Sequence, residues 1–301
     1  MATDEQISFN GSFGNVLPNR QLTLSGIMTV KNAVALGYPF LEAILHVLPI
    51  VDEFLIGDGG STDKTVYYIN RLKEMFPKVS LYETMWAKSA HWESFDEAVD
   101  FLISKTSGRW IFELHSDEFW HEKDIFKLLE IVKRADSEGY NSLRHPCVSY
   151  AWTTKDSYVY RNVRVLRKVP ELSSHWGGDD FQVGSCRSPR EGYTSHNVPP
   201  ELNIDIELMH MSRAFLKHRA SQDKANVGFI GTGSEERKRS YEDSRQREEH
   251  WSRAKPPKKG DVLSCLPALM KGLSQELEYK VRGDILFDKQ KLSELTGLNY
   301  D

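Results

Sequence analysis

Apolar residues alternate between strand-like runs and helix-like spacing through roughly the first 135 positions. Strands are predicted over residues 22–30, 51–56, 78–82 and 110–114, the first of them apolar on both faces as in a covered parallel sheet. Each run is followed by a segment whose apolar residues recur at helical spacing. This alternation predicts an α/β fold with three layers around a mostly parallel sheet.

Helix boundaries are marked by proline and by short polar side chains. Pro39 fits an early helical position, where a missing N–H costs nothing, and Pro49 is expected to end that first helix. Ser61 or Thr62 is expected to cap the second helix.

The pattern changes after about residue 140. Residues 158–168 and 202–211 are predicted strands, separated by a polar stretch over 173–200 that fits a long functional loop. Residues 235–259 carry dense charge of both signs and predict a solvated helix. Residues 262–277 predict an amphipathic helix.

Composition and charge exclude several classes of protein. The chain has 301 residues, with 39 Lys and Arg against 43 Asp and Glu, so its net charge of −4 argues against a nucleic-acid binder. We expect no transmembrane segment, because no apolar run reaches the ~18 residues that a span needs. Residues 1–20 lack a signal-peptide pattern and the three cysteines show no metal or disulfide spacing, so a cytoplasmic protein is expected.

Two polar clusters stand at the ends of predicted strands, where ligands of parallel α/β sheets bind. The first covers residues 58–65, DGGSTDKT. Its glycines allow a ligand to approach the backbone, and Asp58 can accept hydrogen bonds from a base or a ribose. A tight structural turn with a capping aspartate is an equally good interpretation.

The second cluster is Glu113 with residues 115–118, HSDE. Glu113, His115 and Asp117 alternate along a strand and would share one face. A carboxylate within an apolar strand is costly unless it is paired or holds a metal, and oxygen ligands suit Mg²⁺ or Mn²⁺. Alternatively, Ser116 or Asp117 caps a helix over residues 122–135.

Four ordered motifs resemble the family 2 glycosyltransferases, which have the GT-A fold, over roughly residues 24–224. They are TVKN at 29–32, DEFLIGDGGSTDKT at 52–65, WIFELHSDE at 110–118 and RVLRK at 164–168. The second is the most specific match. The third resembles the strand that ends in the metal-binding Asp-x-Asp motif, although His115 stands where the first Asp is expected.

The resemblance implies a role for individual residues. Asp117 would coordinate the divalent cation, Mn²⁺ or Mg²⁺, and His210 would be a further ligand, although a core histidine is the alternative for His210. His115 could ligate the metal or hydrogen-bond the ribose, or signal weakened metal dependence. A helix cap is the alternative role for Asp63. The expected nucleotide-sugar contacts are Thr29, Asn32, Asp58, Gly59, Asp63, His115 and Ser116.

The resemblance also places the acceptor chemistry after the arginine-rich strand. Asp179 or Asp180 would be the general base, with Asp180 favoured, and a surface turn with two solvated aspartates is the alternative. Trp176 could stack on a sugar ring. Arg164 could contact the diphosphate.

The expected function is an inverting transfer of a sugar from a nucleotide-sugar donor, UDP-linked, to a hydroxyl of a glycan, lipid-linked or protein acceptor. The alternatives are a non-catalytic module that binds a nucleotide sugar or a glycan, and a sugar-nucleotide pyrophosphorylase. The expected organisation is a polar lead over residues 1–20, a GT-A domain over 21–230 and a charged helical C-terminal extension over 231–301. Within the domain, residues 21–135 form the nucleotide-binding half and 136–230 the acceptor half.

Overall fold

The structure is a computed structural model, and it describes residues 22–84, 92–150, 157–175, 180–183, 198–211, 268–270 and 281–301. Four helices and nine strands of the main body are described, in chain order: β1 Leu24–Val30, α1 Phe40–Val47, β2 Glu53–Asp58, α2 Thr65–Met75, β3 Val79–Glu83, α3 Trp92–Lys105, β4 Trp110–Glu113, β5 Glu118–Trp120, α4 Ile125–Glu138, β6 Ser142–Tyr150, β7 Ser157–Arg167, β10 Glu201–Asn203 and β11 Leu208–His210. Strands β8 Leu172–His175 and β9 Asp180–Val183 form a separate hairpin, and α5 Gly283–Leu286 and α6 Lys289–Thr296 follow near the C-terminus.

The strands of the main sheet run in the order β3-β2-β1-β4-β7-β6-β11-β5, with β10 added beside β6. Among the described residues, five of its eight strand pairings are parallel, and the antiparallel pairs are β4–β7, β6–β7 and β5–β11. The parallel β3-β2-β1-β4 part brings the carboxyl ends of its strands to one edge. The antiparallel return of β5 and β11 places residues 117 and 210 at the neighbouring part of that edge.

Two apolar cores cover the two faces of the sheet. Helices α1, α2 and α4 pack on one face, where α1 is buried all round because all eight of its residues lie between the sheet and its neighbours. Helix α3 packs on the other face through residues such as Val99 and Leu102, and Phe181 of the hairpin joins this second core. The result is the three-layer α/β sandwich that the alternating pattern predicts.

The C-terminal segment returns to the first core. Leu286, Leu292, Leu298 and Tyr300 are buried in it, and the Tyr300 hydroxyl donates to the Leu45 carbonyl at 3.1 Å. The predicted charged helix over 235–259 lies outside the described residues. Of the predicted amphipathic helix over 262–277 only residues 268–270 are described, and they form a short 3-10 helix.

Local details differ from the sequence-based expectations. Ser61 and Thr62 do not cap α2, which begins only at Thr65, because both belong to the preceding loop. Pro49 lies inside a 3-10 turn that extends α1. The predicted strand over 202–211 is two short strands, and no helix of the described part of the chain is long and apolar enough to cross a membrane.

Candidate functional site

The loop after β2 is organised by the carboxylate of Asp58. One oxygen accepts hydrogen bonds from the backbone N–H groups of Gly60 and Ser61, at 3.1 and 2.9 Å, and the other accepts the Ser61 hydroxyl at 2.5 Å. Gly60 has a φ of +85°, a backbone conformation that glycine adopts without strain. The structural turn with a capping aspartate is therefore present, and it holds Asp58 at the sheet edge with its side chain 7% exposed.

The loop after β1 is fastened to the loop after β2. The Asn32 side chain accepts the Thr62 N–H at 2.7 Å, and the Asn32 N–H donates to the Ser61 hydroxyl at 2.8 Å. Asp63 accepts from the N–H groups of Ala35 and Thr65, at 2.7 and 2.9 Å. Asp63 is thus the residue that ties the start of α2 to the β1 loop, as the capping interpretation expected, and both loops form one rigid edge.

A buried hydroxyl lies just before this edge. The Thr29 hydroxyl oxygen is inaccessible and has no hydrogen-bond partner among the described residues. Thr84, directly after β3, has the same property, and its side chain would collide with a Cβ on Gly57 at 2.8 Å. A buried hydroxyl without a partner is costly in a folded protein, so Thr29 and Thr84 are two unsatisfied polar groups at this edge of the sheet.

The turn between β4 and β5 brings an acidic side chain to a histidine. Asp117 lies in this turn, and its Oδ2 is 3.6 Å from Nε2 of His210 at the end of β11. The backbone fixes the pair, because the Met211 N–H donates to the Asp117 carbonyl at 2.8 Å and His210 pairs with Glu118. Burial alone would lower the pKa of His210, but the Asp117 carboxylate raises it well above its ordinary value. Asp117 and His210, the two residues expected as metal ligands, therefore lie side by side in the structure.

A buried charge cluster lies directly beneath this turn. The Arg164 guanidinium donates to both oxygens of Glu118, at 2.6 and 2.9 Å, and lies 3.4 Å from the carboxylate of Glu113. Burial by itself would raise the pKa of Glu118, but the cations of this cluster hold it well below its ordinary range. Arg164 is fully buried, so it is positioned to support the site from below rather than to meet a diphosphate.

His115 belongs to the same cluster. Its Nδ1 lies 3.3 Å from Arg164 and its Nε2 lies 3.4 Å from Glu113. Both ring nitrogens therefore face buried charged groups, which limits what His115 can offer to a ribose or a metal. The expectation that Ser116 or Asp117 caps the next helix is wrong, because β5 begins at Glu118 and a 3-10 turn capped by His121 follows.

The predicted acceptor residues are only partly described. Trp176 and Asp179 lie outside the described residues, and Asp180 is described through its backbone, which pairs with His175 in the β8–β9 hairpin. The hairpin is anchored on α3, since the Ser174 N–H donates to Asp100 at 2.6 Å and its hydroxyl donates to Asp96 at 2.9 Å. The roles of Trp176, Asp179 and Asp180 in acceptor binding and catalysis stay predictions.

The sequence model described as Glycosyl transferase family 2 matches residues 25–181, just over half of the chain. The matched region contains both loop clusters, the charge cluster and the start of β9. The chain belongs to the family 2 glycosyltransferases. The α/β fold of the GT-A type that accompanies this family is confirmed, in the form of a mixed sheet with helices on both faces.

Solved structures resemble the chain over about half of its length. S. aureus TarS 1-349 in complex with UDP is 12% identical, with a TM-score of 0.36, and the alignment covers 49% of this chain and 47% of that one. Mannosyltransferase PcManGT from Pyrobaculum calidifontis, in complex with GDP-Man and Mn²⁺, is 21% identical, with a TM-score of 0.32 and coverage of 44% and 37%. The chain thus spans less than half the length of either, and no curated protein matches it.

Within this family 2 domain the structure collects most of the predicted residues at one edge. Thr29, Asn32, Asp58, Gly59 and Asp63 line the β1 and β2 loops, and His115, Ser116, Asp117 and His210 line the β4–β5 and β11 side. Sequence reasoning missed Thr84, Tyr160 and Cys147. Thr84 is recognisable only by its position after a short strand, and the other two carry no motif of their own.

Proposed function

We propose that this chain is an inverting glycosyltransferase that moves a sugar from a UDP-linked donor to an acceptor hydroxyl and uses a divalent cation. The observation that supports it most is the 3.6 Å approach of Asp117 and His210 at the same sheet edge as the Asp58 loop. The reaction needs a site for the cation and a site for the nucleotide. The Asp117–His210 pair and the Asp58 loop offer candidates for both, next to each other in a family 2 domain.

The nucleotide is assigned to the edge formed by β1, β2 and β3. Thr29 and Thr84 lie at this edge, and their buried hydroxyls have no partner in the described part of the chain. Asp58 keeps further acceptor capacity beyond its three loop hydrogen bonds, since an ionised carboxylate has about four lone-pair positions. Asn32 and Asp63 hold the two loops in place.

The chemistry of the donor set fits a divalent cation. Two ligands about 2.1 Å from one ion lie within about 4.2 Å of each other, and the oxygen of Asp117 and the nitrogen of His210 meet this condition. One carboxylate with one imidazole suits Mn²⁺. When bound, the cation would neutralise the charge that develops on the departing diphosphate. The fully buried charge cluster below the turn keeps Asp117 from moving away.

Glu118 and Cys147 are less suitable ligands, although both lie near His210. Both oxygens of Glu118 already accept hydrogen bonds from Arg164, and a metal would have to compete with that buried ion pair. Asp117 is therefore the carboxylate that we assign to the metal.

The acceptor side is assigned to the β8–β9 hairpin. Asp180 would take the proton of the acceptor hydroxyl while its oxygen attacks the anomeric carbon and the bond from that carbon to the diphosphate breaks. A single displacement of this kind inverts the anomeric centre. The anchor of the hairpin on α3 supports the assignment because a general base must be held in place.

The test is a panel of nucleotide sugars, with thermal stability measured with and without Mn²⁺, followed by turnover of the best ligand with simple glycan acceptors. A donor at 100 times its Kd stabilises the native state by about 2.7 kcal/mol. UDP-sugars should stabilise the protein, and Mn²⁺ should enhance the effect. Binding without transfer to any acceptor, including hydrolysis to water, would favour the non-catalytic module instead.

A further inference from the structure

Three neighbouring strands place Tyr160, Cys147 and His210 next to one another. Cys147 of β6 pairs with Tyr160 of β7, and β6 pairs on its other side with β11, which ends at His210. The alternation of side chains along the strands puts the three on one face of the sheet. None of them lies in the four motifs that carry the family resemblance, which gave a role to His210 alone.

The contacts between these side chains form a row that ends at the proposed metal site. The Tyr160 hydroxyl is 3.0 Å from Nδ1 of His210, and the opposite nitrogen, Nε2, faces Asp117 at 3.6 Å. Cys147 is fully buried and hydrogen-bonds to both Tyr160 and His210. The His210 imidazole is therefore contacted by the Tyr160 phenol and the Cys147 thiol on one side, and its Nε2 faces the Asp117 carboxylate on the other.

The hydrogen bond between Tyr160 and His210 occupies Nδ1 of the imidazole, at 3.0 Å. A neutral phenol can accept the Nδ1–H of His210 and donate its own proton to the Cys147 sulfur. With Nδ1–H held by Tyr160, Nε2 is the nitrogen that would give up its proton and offer its lone pair to a cation, on the side of Asp117.

We propose that Tyr160 is a positioning residue that fixes the ring orientation and the tautomer of His210 so that Nε2 can ligate the divalent cation. Outer hydrogen bonds of this kind orient ligating imidazoles, and their loss typically weakens metal affinity by 10- to 100-fold. The proposal rests on the proposed function, since it takes Asp117 and His210 as the metal ligands.

The experiment is direct titration of the full chain with Mn²⁺ and, separately, with Mg²⁺, in the absence of nucleotide. Tyr160→Phe removes the hydroxyl and keeps the ring. We expect it to weaken Mn²⁺ binding by about 10-fold or more. Mg²⁺ binding should change less, because Mg²⁺ prefers oxygen ligands and depends less on the imidazole. The ratio of the two affinities is a readout that a purely structural role of Tyr160 would not move.

A double-mutant cycle that combines Tyr160→Phe with His210→Ala tests whether Tyr160 acts through His210. Once the imidazole is absent, Tyr160→Phe should have no further effect on Mn²⁺ affinity. Tyr300→Phe is the matched control, because it also removes a buried tyrosine hydroxyl that donates to a carbonyl, at the opposite end of the first core. It should lower the thermal stability and leave Mn²⁺ affinity unchanged.

The outcomes separate this proposal from the function on which it rests. If Asp117→Asn and His210→Ala both leave Mn²⁺ affinity unchanged, the metal site itself is wrong and the role of Tyr160 fails with it. If those two variants weaken Mn²⁺ binding and Tyr160→Phe does not, only the positioning role is overturned. The positioning role is also overturned if Tyr160→Phe weakens Mn²⁺ binding as much in the His210→Ala variant as it does in the unchanged protein.

Discussion

The guanidinium of Arg164 donates two hydrogen bonds to the carboxylate of Glu118, at 2.6 and 2.9 Å, and both residues are completely buried. This pair joins β7 to the first residue of β5, directly after the turn that carries Asp117. A buried, bidentate ion pair resists displacement because separating it would leave two uncompensated charges in the core. The position of Asp117 at the sheet edge is therefore fixed by a charge pair beneath it.

We predict that Arg164→Met lowers the free energy of unfolding by about 3–5 kcal/mol, because it leaves Glu113 and Glu118 buried with their main cation removed. Urea unfolding measures the loss. Arg134→Met is the control, since Arg134 is exposed on α4 and the change should stay within about 0.5 kcal/mol.

Nucleotide affinity decides between the two roles of Arg164. We expect the folded fraction of Arg164→Met to bind UDP within a few-fold of the unchanged protein. A variant that remains as stable as the unchanged protein but loses UDP affinity would restore the diphosphate contact expected from the sequence.

Replacement of Thr29 should separate binding from stability. Thr29→Val exchanges a buried hydroxyl that has no partner in the described structure for a methyl group of similar size, so thermal stability should stay equal or rise. If the hydroxyl meets the nucleotide, UDP affinity should fall by roughly 2- to 12-fold, the equivalent of one hydrogen bond. Calorimetric titration with UDP gives this value.

Thr296→Val is the matched control for Thr29. The Thr296 hydroxyl donates to the Leu292 carbonyl at 2.8 Å, so its loss should reduce stability and leave UDP affinity unchanged. Unaltered UDP binding by Thr29→Val would remove the hydroxyl from the nucleotide contacts.

The sequence predicted the parallel half of the sheet well because β1, β2 and β4 are buried along nearly their whole length and consist mostly of apolar residues. Strand β6 was not predicted. It carries Arg144, His145 and Pro146, and a proline normally argues against a central strand. One neighbour, β7, is the next strand along the chain, but the other, β11, begins only at Leu208, so only the tertiary structure reveals that β6 is covered on both sides.

The candidate site was predictable to the extent that motifs mark strand ends. The pairing of Asp117 with His210 was expected from the family resemblance, and their separation by 93 positions gave no other sign of contact. The inward orientation of Arg164 was not predictable, because residue parity on a strand does not say which face is covered by other elements. The support of His210 by Tyr160 likewise depends on strand order.

Replacement of Asp117 tests the metal chemistry. Asp117→Asn should keep the fold and lose about 10²-fold or more of the Mn²⁺-dependent transfer rate, because an amide lacks the charge that holds the cation. Asp205→Asn, at a side chain that is 99% exposed, is the control and should retain full activity. The assignment would be contradicted if Asp117→Asn and the unchanged protein had equal transfer rates both in excess EDTA and in Mn²⁺.

Asp100 should make stability depend on pH. Burial raises the pKa of Asp100 from 3.8 to about 6 in the folded protein. The folded state therefore binds more protons than the unfolded chain between these values, and the ionised carboxylate costs stability above pH 6, a cost that disappears as the pH falls towards 4. Asp100→Asn keeps an oxygen for the Ser174 N–H and removes the charge.

We expect Asp100→Asn to raise the free energy of unfolding at pH 7.5 by about 1 kcal/mol, a value reduced for the partial solvent exposure of the side chain. The gain should vanish near pH 4. Asp284→Asn, at an exposed position, should show no such pH-dependent gain. Denaturant unfolding at several pH values measures both, and a gain that grows as the pH falls would contradict the expected sign.

The general base is tested by Asp179→Asn and Asp180→Asn, measured side by side. Asp180 begins β9 and is held near α3 through the hairpin anchor at Ser174, so its backbone position is defined. Successive residues of an extended chain point in opposite directions, so only one of the two aspartates should reach the acceptor hydroxyl. We expect Asp180→Asn to reduce the transfer rate by ~10²–10⁴-fold and Asp179→Asn to be nearly neutral. UDP affinity should survive in both, because the hairpin is separate from the β1 and β2 loops. Near-normal transfer by both variants would exclude the hairpin as the source of the base and direct attention to Glu201.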